Sequence, residues 1–143
     1  MFQEGKELKF VRVGVAVIVR EADGRMLIDR RADGGPMSGW WEFPGGKVAP
    51  GETVADCIRR ECREELGVEV EPVEPLRVIT HEYPHARVEL NFHLCRLLSG
   101  EPRPLEVAEV AWVTPAETSA YPFLPANTPV IEDLAKRLGG ASS

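Results

Sequence analysis

Residues 9–20, KFVRVGVAVIVR, carry Val at every odd position from Val11 to Val19, with Gly14, Ala16 and Ile18 between them from the middle onward. Strand side chains alternate between faces, so apolar residues at successive positions mean that part of this strand is covered on both sides. Such a strand needs layers above and below it. Thr53 to Asp56 spells the capping box T-x-x-D, Gly67 stands where a helix C′ glycine belongs, and good helix formers lie between, apart from the β-branched Val54 and Ile58 and two Cys. This predicts a helix over 54–66. A second helix is predicted over Pro129 to Leu138, with Pro near its start and Gly139-Gly140 after its end. Asp23-Gly24 marks a turn into RMLIDRR (25–31), a short strand able to form a hairpin with the first, and Ala32 to Gly39 reads as loop. Further strands are predicted at 76–81, at 86–98, where Val88, Leu90, Phe92 and Leu94 alternate, and at 107–114. Strands on both sides of a central helix, followed by a late helix, point to an α+β chain with a mixed sheet between helical layers.

With 143 residues and 43% apolar composition the chain suits a single domain with a proper core. Its formal net charge of −6 argues against a sequence-blind grip on polymeric DNA or RNA, which Lys and Arg normally supply. An acidic protein that handles phosphates needs a cation between them. Cys57, Cys62 and Cys95 are odd in number, form no CxxC spacing and fall within helix or strand segments, so they read as small buried hydrophobes of a reduced, cytoplasmic protein. MFQEGKELKF lacks a secretory apolar region, and no run approaches the roughly 20 apolar residues of a membrane span. Neither export nor a membrane partner is expected. There is no internal repeat, and only the GGASS tail reads as flexible.

The chemistry gathers in residues 40–71, WWEFPGGKVAPGETVADCIRRECREELGVEVE. On a helical wheel with Glu61 at zero, Glu64 falls near ~300° and Glu65 near ~40°, so three carboxylates share an arc of roughly 100°. Ile58, Cys62, Ala55 and Leu66 fall between about 60° and 140°, the stripe that faces a core. A helix merely decorated with ion pairs would look different. Only Arg60–Glu64 has opposite-sign i,i+4 spacing in this cluster, whereas Glu61–Glu64 and Glu61–Glu65 are like-charge neighbours, each pair destabilising by roughly a few tenths of a kcal/mol. A cation among them removes that cost, and hard ions such as Mg²⁺ or Mn²⁺ take oxygen ligands while keeping waters that phosphates displace. Pro44-Gly45-Gly46, just upstream, is read as a loop whose bare backbone lets a phosphate or ion approach its amides and carbonyls.

Residues 46–68 resemble the Nudix box, G-x5-E-x7-R-E-U-x-E-E-x-G-U with U aliphatic: Gly46, Glu52, Arg60, Glu61, Glu64, Glu65 and Gly67 stand at its fixed places. Cys62 departs from the usual Leu, Ile or Val and remains a small apolar residue. Outside the box, LIDRRAD, WEFPGGKV, HEYPHARVELNFHL and FLPANTPVI resemble pieces of the MutT branch. The resemblance implies a Nudix fold, an α/β/α sandwich around a mixed β-sheet, with Mg²⁺ (or Mn²⁺) held by Glu61, Glu64, Glu65 and the Gly45 carbonyl. It implies that Glu52 braces the loop and that Arg60 orients the carboxylates. It further implies hydrolysis of a nucleoside triphosphate to nucleoside monophosphate and pyrophosphate. One of the box glutamates, or Glu106 or Glu109, would serve as general base, and the sequence leaves that choice open.

Substrate recognition is read from fewer residues. Asn127 falls where MutT-type enzymes keep a base-reading asparagine, whose amide suits the donor/acceptor edge of an oxidised guanine, although an Asn before Thr128-Pro129 equally suits a loop or helix cap. Arg31 matches a nucleotide-contacting position; Glu42 and Phe43, with Gly45 and Gly46, are expected along the binding pocket, though Phe43 and Trp41 also suit a core. Trp40, Tyr83, His81, His85 and His93 receive no role. The expected substrate is a small nucleotide such as 8-oxo-dGTP, handled by a monomer or weak homodimer. CTP or 5-methyl-dCTP remains an alternative, as does a sugar nucleotide such as ADP-ribose, to which the placement of Pro84 bears resemblance. A nucleotide-binding Nudix module without turnover is disfavoured, because it would have no use for Glu52, Glu61, Glu64 and Glu65 together.

Overall fold

In a computed structural model describing residues 9–35 and 37–139, β1 runs Lys9–Val19 and is buried without a break from Gly14 to Ile18, as its uninterrupted apolar pattern requires. The first eight residues and the tail beyond Gly139 lie outside the described residues. β1 joins β2 (Met26–Arg30) antiparallel through Val19 and Met26, the expected hairpin, with Gly24 at φ 70° in its turn. Along its other edge β1 runs parallel to β6 (Ala86–Ser99), from Lys9 opposite Ala86 to Val19 opposite Arg96, and β5 (Glu69–Tyr83) lies antiparallel outside β6. β3 (Trp41–Glu42) and β7 (Glu109–Val113) both pair with β2, while β4 (Gly45–Lys47) pairs antiparallel with Val13–Val15 of β1. One parallel pairing among antiparallel ones makes the sheet mixed, in the order β3-β2-β1-β6-β5 with β4 on β1 and β7 on β2.

Two cores flank this sheet. Ala16, Ile18 and Leu27 face α1 (Val54–Leu66) and pack on Ile58, Cys62 and Leu66. Val15, Val17, Met26, Ile28 and Phe92 face the opposite way, onto Val130 and Leu134 of α2 (Thr128–Gly139). The result is the α/β/α arrangement expected from the sequence. No helix among the described residues is long and apolar enough to cross a membrane.

α1 begins and ends where its caps predict. Thr53 Oγ1 accepts a hydrogen bond from the Asp56 amide at 3.0 Å, and Gly67, at φ 70°, closes the helix by donating its N–H to the Arg63 carbonyl at 3.0 Å. The return half of the expected capping box is replaced, since the Asp56 carboxylate accepts from Arg59 Nη1 at 2.9 Å. Ile58, Cys62 and Leu66 are buried as the wheel requires, but Ala55 is only half-buried. Cys57 is fully buried although the wheel puts it on the acidic flank. The reason is β4, which crosses below the first half of α1; Cys57 Sγ donates to the Gly46 carbonyl at 3.3 Å.

Two expectations change. Gly45 and Gly46, read as loop, belong to strand β4. The strand expected at 76–81 starts at Glu69, directly after the α1 cap, despite Pro72 and Pro75. β5 is an edge strand, and its pairing with β6 shifts register between Pro72 and Glu74 and again between Pro75 and Arg77, which is how a ladder absorbs residues lacking an N–H.

Gly14 sets how near α1 can lie. A Cβ there would stand 3.2 Å from both Cys57 Sγ and Ile58 Cγ1 and 3.3 Å from the Val54 carbonyl. Gly14→Val should therefore lift α1 and cost about 1–3 kcal/mol in urea unfolding; unchanged stability would show that the helix is not seated on this glycine.

Candidate active site

Arg60 ties the acidic helix to the strand before it. Its Nε and Nη2 grip Glu52 at 2.7 and 2.9 Å, Nη2 also donates to the Lys47 carbonyl at 3.1 Å, and Nη1 donates to Glu61 at 2.9 Å and Glu64 at 3.3 Å. Glu52 also accepts from the Ala49 amide at 2.9 Å. Arg60 first, then that amide, lowers the Glu52 carboxyl to about 2. Glu52, Arg60, Glu61 and Glu64 thus form one hydrogen-bonded network.

Glu61 lies against Gly46, where a Cβ would collide with its carboxyl carbon and both its oxygens. Gly45 is held by register. The bonds from the Ala16 amide to the Pro44 carbonyl and from the Val48 amide to the Arg12 carbonyl flank the Val15–Gly45 pair. Gly45 therefore occupies a non-hydrogen-bonded position and turns its carbonyl away from β1. A Cβ at Gly45 would collide with the Gly14 carbonyl.

Glu65 and Asp29 lie beyond the hydrogen bonds of Arg60. Glu65 is raised to about 10, first by burial, then by the charge of Asp29, then by a hydrogen bond with Glu61, which two carboxyl groups form only while holding a proton. Asp29, on β2, is 1% exposed with no hydrogen-bond partner for either oxygen, and burial followed by the charge of Glu42 raises it to about 8. Glu42, opposite Asp29 on β3, accepts two hydrogen bonds from Arg31 Nη1 at 3.0 and 3.1 Å; burial still raises its carboxyl against that pull. Among the described residues no three acidic, His or Cys side chains stand already gathered around one point; the Glu64 carboxylate, 48% exposed, turns to Arg60 instead. The donor chemistry nevertheless suits a hard divalent cation: buried carboxylate oxygens in excess of positive charge, with a backbone carbonyl and two glycines alongside.

A cleft of about 850 Å³ opens on this acidic edge. Arg31, Glu42, Phe43, Gly45, Gly46, Glu65 and Asn127 line it together, whereas Glu52, Arg60, Glu61 and Glu64 stand outside its lining. Phe43 is both wall and core, 2% exposed and edge-on to Phe92 and Phe123; Trp41 belongs to the core alone. Asn127 closes a 3₁₀ turn before α2, with Nδ2 donating to the Leu124 carbonyl at 3.2 Å, and it also lines the cleft. Glu106 lines the cleft, while Glu109 pairs with Arg30 at 3.0 Å and does not.

Sequence reasoning missed Asp29, which sits in the apolar run MLIDR, and missed the cleft residues His81, Tyr83 and Phe92. The alternation Ile79, His81, Tyr83 was the available signal, since Ile79 packs against the core on the cleft side. Pro84 lies in the β5–β6 turn, outside the cleft lining. The three cysteines are buried free thiols, with burial pushing Cys57 to about 11 and Cys95 to about 12.

This fold and this acidic edge beside a nucleotide-sized cleft are those of a Nudix hydrolase. The family model described as the NUDIX domain matches residues 15–133. The 8-oxo-dGTP diphosphatase of Escherichia coli is 34% identical over 131 residues, covering 92% of this chain and 100% of that one. The CTP pyrophosphohydrolase of the same organism is 33% identical over 127 residues, covering 87% and 91%. The crystal structure of a MutT NUDIX hydrolase from Burkholderia pseudomallei superposes with a TM-score of 0.77 at 31% identity, covering 87% and 97%. The chain belongs to the NUDIX domain family and is an enzyme of the Nudix hydrolase type.

The Glu52–Arg60 network gives a direct test. A carboxyl lowered in the folded state adds stability above its ordinary value of 4.5, and that contribution is lost as pH falls through about 2. Glu52→Gln should therefore be less stable than the parent at pH 7, with the gap narrowing as pH is lowered from about 4.5 toward 2; a gap constant across urea unfolding at pH 7, 5 and 3 would dissociate Glu52 ionisation from stability.

Proposed function

We propose that this enzyme hydrolyses a nucleoside triphosphate to nucleoside monophosphate and pyrophosphate with Mg²⁺, Mn²⁺ serving as substitute, and that oxidised purine such as 8-oxo-dGTP is its preferred substrate. The observation that carries the reading is that Glu65 and Gly45 line a cleft shared with Arg31 and Asn127, while Glu61 lies directly behind them, hydrogen-bonded to Glu65 and packed on Gly46. Glu61, Glu64, Glu65 and the Gly45 carbonyl would hold the ion, with Glu64 swinging from its exposed contact with Arg60. When bound, the cation supplies charge neutralisation for the phosphates and acidification of the attacking water.

The remaining work falls to the chain. Arg60 keeps Glu61 in place while Glu52 absorbs the other side of the guanidinium, so the glutamate does not rotate away when substrate arrives. Gly46 leaves room for the Glu61 carboxylate beside the strand. Arg31, fixed by Glu42, presents positive charge at the cleft wall. Glu106, a cleft residue, is better placed than Glu109 to take a proton from water. Asn127 is immobilised by its bond to Leu124, and an amide has a further N–H and an oxygen to offer a purine edge. Phe43 and Phe92 give the base apolar walls. A pyrimidine triphosphate is the second reading, favoured by the similarity to the CTP pyrophosphohydrolase.

A turnover panel of 8-oxo-dGTP, canonical dNTPs, CTP, 5-methyl-dCTP and ADP-ribose, with and without Mg²⁺ and read by mass, tests the assignment. The expected result is metal-dependent release of monophosphate and pyrophosphate, fastest with 8-oxo-dGTP; preference for CTP transfers the assignment to the second reading, and cleavage of ADP-ribose alone removes both. Glu65→Gln should abolish turnover with the circular dichroism spectrum unchanged, and undiminished activity would remove its metal role. Asn127→Ala should lower the preference for 8-oxo-dGTP over dGTP by about tenfold, the worth of a hydrogen bond of about 1.4 kcal/mol; an unaltered kcat/KM ratio would return Asn127 to a purely structural turn.

A further inference from the structure

We infer that Asp29 is an additional carboxylate of the metal centre, delivered by the sheet from below the helix that carries the others. The inference rests on the metal-dependent reading above and adds a ligand that the helix motif does not contain. Leu27 and Asp29 share one face of β2, and Leu27 packs in the core formed with Ile58, Cys62 and Leu66 of α1, so Asp29 projects to the same side. Its lateral neighbours agree: Val110 of β7, opposite Asp29, belongs to that same core, and Glu42 lies opposite on β3. Among the groups that feel its charge are Glu65 and Cys62 of α1.

The side chain is 1% exposed, and neither oxygen has a hydrogen-bond partner among the described residues. No protonation state resolves this. As a carboxylate it is a buried charge facing Glu42 and Glu65; as a neutral acid it still carries an O–H with no acceptor. Arg31, two residues along, donates Nη1 to both oxygens of Glu42 and reaches Asp29 only through its charge, which burial outweighs. A bridging water could donate to Asp29, yet it would leave the negative charges of Asp29, Glu42, Glu61 and Glu65 concentrated on one edge. A divalent cation both binds the oxygens and cancels that charge. A residue with no ligand to meet at this position would be expected to be apolar, like Leu27 and Val110 beside it.

The test uses the full chain, with Asp29→Asn as the near-isosteric variant and Asp29→Val as an apolar one suited to a buried strand. Mn²⁺ binding is followed by electron paramagnetic resonance, and thermal unfolding is recorded in chelator and in Mg²⁺. The expected result is that Asp29→Val melts at or above the parent temperature without metal, because a buried carboxyl with no hydrogen-bond partner has gone, and that Asp29→Asn melts close to the parent. Each should bind Mn²⁺ about tenfold or more weakly and gain less from Mg²⁺. If Asp29→Asn fails to fold, the same comparison is made with Asp29→Val. A parent that binds Mn²⁺ alongside a folded variant that binds it equally well overturns the role of Asp29 and leaves the hydrolase reading standing. A parent that neither binds Mn²⁺ nor is stabilised by Mg²⁺ overturns both.

Discussion

The close approach of α1 to the sheet governs the rest of this molecule. Gly14 and Gly46 have no side chains to hold the helix off, so Cys57 can donate to the Gly46 carbonyl and Glu61 can lie directly beside a strand backbone. A helix packed at ordinary distance would carry its glutamates into solvent, where their mutual repulsion is screened and weak. Here close contact buries Glu65 and brings Glu61 within hydrogen-bonding reach of it. The same contact places β4 where its register turns Gly45 outward, so helix and strand define one edge of the cleft between them.

Charge is distributed unevenly along that edge, and the unevenness separates structure from site. At the solvent end Arg60 bonds to Glu52, Glu61 and Glu64, an arrangement that stabilises the protein without any added ion. At the buried end Glu65 and Asp29 have no guanidinium hydrogen-bonded to them among the described residues, and both are pushed far above the ordinary carboxyl range. Folding tolerates this because the apolar cores on both faces of the sheet hold α1 down independently of those charges. Burial that costs stability at one point while the surroundings enforce it is the usual mark of a functional site.

Features specified by neighbours in sequence were legible from the residues. α1 came out with its observed ends because Thr53 and Gly67 are local signals, and β1 was correctly read as covered on both faces because alternation is local too. What failed to show depended on distant partners. β4 has two glycines in three residues and becomes a strand only because β1 pairs with it. β5 extends through Pro72 and Pro75 because β6 supplies a long ladder and an outer edge on which bulges are tolerated. The same limit applies to the site. Arg60, Glu52 and the helix glutamates are set by spacing within one segment, whereas Asp29 looked like one polar break in a short apolar strand until its register placed it below Glu65.

Arg31 brings positive charge to a cleft that is otherwise mostly acidic. Its guanidinium is oriented by two hydrogen bonds to Glu42, whose carboxyl burial raises against the pull of that arginine. Arg31 and Lys47 line the same cleft as Glu65 and Glu106. A bare triphosphate entering this space would meet more negative than positive charge and would be repelled from the acidic side. On the proposed reading a triphosphate accompanied by a divalent ion would offer positive charge to Glu65 and phosphate oxygens to Arg31, so that both contacts would be attractive. On the proposed reading the same geometry would make affinity depend on the metal before any bond is broken, and would suit a ligand with phosphates at one end and an apolar ring against the wall that Phe43 and Phe92 line at the other.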